Sequence, residues 1–570
     1  MIMRRYRFLK KLLLSAAGAL FLTAATSGVS FGQSKNFKLV QDLEVQYNIL
    51  RTLATEYVDT LSFSKILRYG IDAMLESLDP YTEFVPEENE ESIELITTAS
   101  YGGIGATIRK IDSLGVMIMQ PYPNSPALKF NLEPGDIILK IDGVDLRPLA
   151  VDECSKRMRG APGTEVTFTV KKGRTGKVED IVVTRDRVHT SDVTYYGMLD
   201  NVVYGADIEK PAFDLSKTGY IRISSFTLNG ADDVRRALME LKEKGAERIV
   251  LDLRGNGGGL MNEAIDIVSL FVPKGTLVAS AKGRGEGSSF TCVTEKDPVD
   301  TLIKLAVLVN SSSASSSEIV AGALQDLDRA TIIGTRTYGK GLVQSFRPVG
   351  YNGKLKLTTS KYYTPSGRCI QILDYSHRNA DGSAGAVPDS LKKAFKTKNG
   401  RTVYDGGGIT PDTTIKSNSY SRPVYALVVS GIMEDYAVEF YSKNTNISSP
   451  EQINLTDEQY NDFVKYAASK KFDQRSAAEV VLEQLIKEAK EEKLYEKDKA
   501  EFDALSSKLN LTKEQVLEQY KSTIKPMVEE EILQKYFFTG ERIKHMLNTD
   551  TQLLKSLSAW KQQPEKFCIK

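Results

Sequence analysis

The chain has 570 residues, 41% hydrophobic and 26% charged, with a formal net charge of +1. That length exceeds one ordinary domain and predicts three or four. The even charge balance argues against a protein that binds nucleic acid or an anionic membrane through bulk electrostatics.

Taken in chain order, Arg4, Arg5, Arg7, Lys10 and Lys11 precede an apolar, small-residue-rich run over 12–25, and polar sequence begins at Gln33. This pattern reads as a secretory signal peptide over 1–32, cut near Gly32. The alternative is a retained anchor, for which the run is short against the roughly 20 apolar residues of a membrane span. No other long apolar run occurs, so the mature chain is expected to be a soluble protein of the periplasm or cell envelope. Cys154, Cys292, Cys369 and Cys568 stand far apart, with no C-x-x-C pair. Zinc and redox motifs therefore have no support, and any disulfide pairing stays open. The three histidines, His189, His377 and His545, form no metal-binding pattern.

Residues 37–95 show helical periodicity closed by Asp79-Pro80. Residues 98–188 alternate short β-rich runs with turn signals at Pro134-Gly135-Asp136 and Asp142-Gly143, around one helix-like piece, VDECSKRMRG. Residues 195–415 alternate strand and helix patterns, which predicts α/β layering around a buried sheet. The polar stretch 376–405 reads as a loop. From 420 to 570 the chain is helical and charged. NLTDEQY and NLTKEQV each carry a T-x-x-Q capping box there. The fold class is thus multidomain α/β: an α/β core, an inserted β-rich domain and helical N- and C-terminal regions.

Three segments of the α/β part carry chemistry. Six serines fall within seven residues, Ser311 to Ser317, between the apolar run 305–309 and a helix-like pattern. A strand-to-helix turn explains that placement better than a linker does. Ligands gather at the carboxyl ends of strands in open α/β sheets, and a helix N-terminus offers free N–H groups to an oxyanion. The bland alternative is helix capping. A serine nucleophile needs a base, and the scattered histidines supply a triad poorly. Lys340, between Gly339 and Gly341, can serve if desolvation holds its amine neutral. If 340–346 is extended, Lys340 shares a face with Leu342 and Gln344, whose amide could orient the amine. A solvated turn lysine is the alternative. The third segment, DLRGNGGGL over 252–260, follows an apolar strand and exposes backbone N–H groups. It reads as an oxyanion hole or a plain glycine turn, and no phosphate-loop pattern accompanies it.

These segments, with AMLESLDPYTEF, YGGIGATI, TPSGRCIQ and GGGITPD, resemble the carboxyl-terminal processing (tail-specific) proteases of the S41 serine peptidase family over roughly residues 40–415. The resemblance implies that Ser315, first serine of the S-x-S-E-I pattern, is the nucleophile and that Lys340 is the base, assisted by Gln344. It implies an oxyanion hole from the N–H groups of Ser316 and Gly258. Tyr338 stands where the family usually has Phe, and Ser316 adds a hydroxyl to the usual pattern. The β-rich domain resembles a PDZ module. Gly103-Ile104-Gly105-Ala106 fits its carboxylate-binding loop, and the strand that follows would take an extended peptide by β-augmentation. The expected partners are protein substrates with exposed C-termini. The helical regions are expected to support oligomers or adaptors, and no metal or cofactor is implied. Two rival readings are a silent PDZ scaffold and another enzyme using glycine oxyanion holes, such as one acting on acyl-CoA.

Overall fold

The structure is a computed structural model that describes residues 33–87, 97–98, 100–111, 113–200, 202–204, 208–416 and 420–560. The expected signal peptide, most of the Glu-rich stretch after Pro86, and Cys568 lie outside the described residues. Cys154, Cys292 and Cys369 are free thiols. Among the described residues no helix is long and apolar enough to cross a membrane. The chain divides into residues 1–77 and 78–570. The first unit holds two helices, Gln33–Glu56 and Phe63–Glu76, and the second of these is strongly amphipathic. After it, Glu83–Val85 form a short strand within the second unit, inside the 37–95 stretch read as helical.

The β-rich domain is a sheet in the order Ala106–Ile111, Gly115–Pro121, Ile137–Ile141, Glu165–Lys171, Val178–Thr184. Alternate residues such as Val116, Ile118, Ile138, Val166, Phe168 and Val170 are buried and close one core with Cys154 and Met158 of the helix Val151–Met158. Ala106–Ile111 is an edge strand, paired only with Gly115–Pro121.

The main sheet has six strands in the order Val193–Met198, Thr218–Ile223, Arg248–Asp252, Lys304–Val309, Thr331–Gly334, Thr413–Thr414. The first pair is antiparallel and the rest are parallel. Arg248–Asp252 is buried at every position, as a parallel strand covered on both faces must be. Ile221, Ile249, Leu251, Leu305 and Val307 meet the helices Gly230–Glu243, Met261–Ser269 and Ser316–Asp326 on one face. Tyr220, Val250, Ala306, Leu308 and Ile333 meet Leu547, Leu553, Leu557 and Trp560 on the other. The C-terminal helix Thr551–Ala559 is therefore a layer of this sheet, although it lies in the stretch read from sequence as a separate helical region.

A second, antiparallel sheet joins Glu83–Val85, Leu277–Gly283, Phe290–Val293 and Leu342–Gly350 through the long strand Gly353–Tyr363. Tyr351 and Asn352, both at positive φ, turn the hairpin, as a two-residue loop with the twist of its strands requires. The stretch read as a loop over 376–405 contains two small pairings, Leu373–Arg378 with Ala384–Ala386 and Ala394–Lys396 with Thr402–Tyr404. Beyond 420 the chain is helical, as expected. In both T-x-x-Q boxes the Thr N–H donates to the Gln side chain at 2.9 Å (Thr456 to Gln459, Thr512 to Gln515).

One charge cluster ties the C-terminus to the main sheet. Asp252 is fully buried, accepts the Tyr220 hydroxyl at 2.6 Å, and is gripped by Arg254 through Nε at 2.9 Å and Nη2 at 2.6 Å. Burial pushes the Asp252 carboxyl up, but Arg254, Arg222 and the Tyr220 hydroxyl hold it down at about 2. Arg254 also donates to Asp550 at 2.6 and 3.1 Å, and Asp550 caps the last helix through the Leu553 N–H at 2.8 Å. Asp550→Ala removes a cap and an acceptor of a buried guanidinium. We expect it to lower stability by about 2–4 kcal/mol, read as a lowered urea midpoint with faster hydrogen exchange over 551–559.

Candidate active site

The Lys304–Val309 strand ends at Asn310, and the helix Ser316–Asp326 begins with Ser315 as its N-cap. Ser315 has φ 54° and ψ −114°, a strained backbone for a residue with a side chain. The serine run is a fastening. The hydroxyls of Ser313, Ser316 and Ser317 donate to the carbonyls of Leu253, Gly259 and Asn256 at 2.8–2.9 Å. The Ala314 N–H adds a bond to the Asn256 carbonyl at 3.0 Å. The serine turn is thus stitched to the glycine turn, and Ser315 takes no part in the stitching.

Gly258 faces the serine directly. At φ 100°, a Cβ on Gly258 would come within 2.8 Å of the Ser315 Cβ and 2.9 Å of the Ser316 nitrogen, so only glycine fits. The Ser316 N–H lies in the first helical turn, where no intrahelical acceptor exists, and bonds to no described residue. The Gly258 N–H differs from the sequence expectation. It donates to the Asn256 side-chain oxygen at 2.8 Å and is not a free donor here.

Glu318 connects the serine to the lysine. It is fully buried, and its Oε2 accepts the backbone N–H of Ser315 at 3.0 Å and that of Lys340 at 2.9 Å. Its Oε1 accepts the Gly339 N–H at 2.7 Å and the Thr337 hydroxyl at 2.5 Å. Burial raises its pKa, and the Thr337 hydroxyl and these N–H groups oppose the rise. In sequence Glu318 is simply the acid of the S-x-S-E-I pattern. The S-x-x-E capping box formed by Ser315 and Glu318 is a signal for half of its role. The half that reaches Lys340 has no local signature.

Lys340 lies just before the strand Leu342–Gly350 begins. Its ammonium sits over the Tyr81 ring, 4.0 Å from the centroid, and among the described residues it has no ion-pair partner. Burial lowers its pKa and Lys356 adds to the fall, against weaker opposing pulls from Asp79, Glu318 and Glu83. Asp79 is occupied elsewhere. It accepts the N–H groups of Tyr81 and Thr82 at 2.8 and 2.9 Å and the Thr82 and Thr358 hydroxyls at 2.9 and 3.2 Å. Those bonds shape the Asp79–Thr82 turn that carries the Tyr81 ring to the lysine. Tyr81, which sequence reading assigns no role, also packs edge-on against Tyr375.

Gln344 departs from the expected contact. A bulge between Val343 and Gln344 breaks the alternation, and the Gln344 amide donates to the Thr358 hydroxyl at 3.2 Å. Its hydrogen bonds lead to Lys340 only indirectly, through Thr358, Asp79 and the Tyr81 turn.

In the β-rich domain, Gly103 ends one strand, Ala106 begins the edge strand, and Ile104 and Gly105 form the loop between them. The Ile104 and Gly105 carbonyls accept the N–H groups of Ala127 and Tyr122 at 2.7 and 2.9 Å. The N–H groups of Ile104 and Gly105 bond to no described residue. Gly105, at φ 72°, would place a Cβ 2.5 Å from that of Ser125. The arrangement is a loop of free N–H groups at the head of an open strand edge.

A strained serine at a strand-to-helix turn, a buried lysine and a free N–H beside that serine are the kinds of group a serine hydrolase uses. Comparison with known proteins specifies the family. The profile of Peptidase family S41 matches residues 217–374, that of the PDZ domain residues 92–171, and that described as "Probable PDZ-protease, C-terminal helical domain" residues 424–559. The chain is 36% identical over 328 residues to a carboxy-terminal-processing protease of Bartonella bacilliformis, covering 57% of this chain and 71% of that protein. It is 38% identical over 306 residues to a carboxyl-terminal-processing protease of Synechocystis sp., covering 53% and 68%. A solved photosystem II D1 C-terminal processing protease aligns at 24% identity and TM-score 0.36 over 65% of this chain and 86% of that one. The chain belongs to the S41 serine peptidases, among the carboxyl-terminal processing proteases that carry a PDZ domain.

Glu318→Gln replaces a four-bond acceptor with an amide that turns donors toward donors. We expect kcat to fall about 100-fold, equivalent to about 2.7 kcal/mol, with circular dichroism unchanged. Tyr81→Leu keeps the lysine dry but removes the ring face that favours the cation. The acidic limb of its kcat/KM profile should move to lower pH, while Tyr81→Phe should leave that limb in place.

Proposed function

We propose that this chain cuts polypeptides through a Ser315–Lys340 dyad after its PDZ domain captures a free C-terminus. The carrying observation is Glu318: one carboxylate oxygen holds the backbone N–H of both residues. Neutral Lys340 takes the Ser315 hydroxyl proton as Oγ attacks the scissile carbonyl carbon. The oxyanion is received by the Ser316 N–H and by a second donor from the glycine turn, where Gly258 serves once the Asn256 side chain turns away. The Lys340 ammonium then protonates the leaving amine, and an ester remains on Ser315. Water, deprotonated by Lys340, hydrolyses the ester and restores both groups. Gln344 acts as a positioning residue through Thr358.

The substrate carboxylate is received by the Ile104 and Gly105 N–H groups within the Gly103–Ala106 loop, and the substrate chain pairs with the free edge of Ala106–Ile111. The basic N-terminal residues and apolar run support export to the periplasm or cell envelope. Self-association through the helical regions is part of the same reading.

Purified protein should degrade an unstructured chain with an apolar C-terminus, while Ser315→Ala and Lys340→Ala should each abolish cleavage and keep the fold. Undiminished cleavage by either variant refutes the dyad, and a silent scaffold would bind and never cut. Amidating the substrate C-terminus should raise KM, and equal rates would argue against carboxylate capture. The pH dependence has a definite sign. Burial places the Lys340 pKa below its ordinary 10.5, so kcat/KM should rise with pH through a midpoint below that value. The same depression makes protonated Lys340 a cost to the folded state. That cost is fully present below the folded pKa and is relieved as pH rises toward 10.5.

A further inference from the structure

The antiparallel sheet that carries Gln344 also carries a group of cations. On Leu342–Gly350 the residues Leu342, Ser345 and Arg347 lie opposite Lys361, Leu357 and Leu355 of Gly353–Tyr363. Lys361 is in turn directly opposite Lys282 of Leu277–Gly283. Lys282, Leu342, Arg347, Leu357 and Lys361 line, with the 283–288 turn and Thr358–Ser360, an open cleft of about 740 Å³.

The charges in this cleft are one-sided. Lys282, Arg284, Arg347 and Lys361 line it, against the single carboxylate of Glu286. Among the described residues none of these four cations has an ion-pair partner. The Lys282 ammonium rests on the Tyr363 ring, 4.6 Å from its centroid, and Arg347 donates to the neighbouring Phe346 carbonyl at 3.0 Å. Like charges in direct cross-strand register destabilise a sheet unless something anionic lies between them. The cations are also spread out. Arg347 is level with Leu355, and six residues separate that point from Lys361, a span of about 20 Å along a strand. A point anion engages one end of such a row, whereas an extended chain with several carboxylates engages all of it. Leu342 and Leu357 supply apolar floor for its backbone.

We propose that this cleft is an exosite for an acidic stretch of the polypeptide substrate. The proposal rests on the protease reading above. The cleft begins at Leu342, two residues after Lys340. Among the described residues Leu342–Gly350 pairs with no strand but Gly353–Tyr363, so a chain bound along it has a short path to Lys340.

The test uses three unstructured reporter chains with one shared C-terminus and a five-residue tract of Glu, Gln or Lys. At low ionic strength the Glu chain should show a KM three- to tenfold below that of the Gln chain with kcat unchanged, and the difference should shrink in salt. Lys282→Gln with Lys361→Gln should erase the preference, and Lys282→Glu with Lys361→Glu should turn it toward the Lys chain. Cleavage of the Gln chain should stay the same throughout, which reports an intact fold and centre. Equal KM values for the three chains, or a Glu preference that survives the double variant, overturns the exosite. Millimolar inorganic phosphate that removes the preference at constant ionic strength also overturns it, in favour of a point-anion site. If no chain is cut, the protease reading has failed instead. Fluorescence anisotropy of the same chains on Ser315→Ala protein then decides the cleft by the same ordering.

Discussion

The centre depends on one buried carboxylate. Glu318 is fully buried, and a charged oxygen pair in that position is tolerable only because four donors surround it. Those donors come from two segments more than 20 residues apart in sequence: the turn that ends at Ser315 and the loop that ends at Lys340. The same bonds that solvate Glu318 therefore fix the distance between the backbones of Ser315 and Lys340. The Tyr362 hydroxyl, which donates to the Ser315 carbonyl at 3.3 Å, adds a third point of attachment. The positive φ of Ser315 costs energy in isolation, and this set of bonds over-determines it.

The arrangement also explains how a lysine can be kept free of a counter-ion among carboxylates. Glu318 and Asp79 both act on Lys340 electrostatically, and either would hold the amine protonated if it formed an ion pair. Each is instead filled by backbone N–H groups and hydroxyls, which leave no short approach to the ammonium. The ring of Tyr81 takes the place such a partner would occupy. A ring face favours a cation far less strongly than a carboxylate does, so burial decides the balance and the amine is poised toward its neutral form.

Much of this is legible in the sequence, and the boundary has a physical basis. Strands buried on both faces are unbroken apolar runs, so Arg248–Asp252, Lys304–Val309 and the helices between them stand out. The serine turn, Lys340 and the glycine turn follow from their positions at the ends of those strands. The antiparallel sheet is harder, because Leu277–Gly283 and Gly353–Tyr363 alternate polar and apolar residues and meet across about 80 positions. The bulge at Gln344 has no signature, since one inserted residue changes a register without changing composition. Nor does Tyr81, whose placement needs a strand pairing between Glu83–Val85 and Gly353–Tyr363 some 270 residues apart. Ser313, Ser316 and Ser317 look like linker, because a hydroxyl that stitches one turn to another is indistinguishable in sequence from one in water.

The C-terminal helices belong to the same argument. Arg109, on the edge strand offered to a peptide, is bonded to Glu434 and Asp435 on the helix Ile432–Lys443. Gln120 on the next strand donates to the Phe537 carbonyl at 2.9 Å. Further along, Asp550 grips Arg254 at the root of the glycine turn. The C-terminal helices thus brace both the edge strand of the PDZ domain and the glycine turn beside Ser315. Burial pushes the Lys535 pKa down, although Glu434 and Glu531 pull it up. A cluster of that kind yields little net stability relative to apolar packing. It does, however, penalise any displacement that separates one charge from the rest. The contacts at the PDZ edge strand are therefore the kind that favour one docked geometry over its neighbours, which a processing enzyme needs if a captured end and a cut bond are to keep a fixed relation.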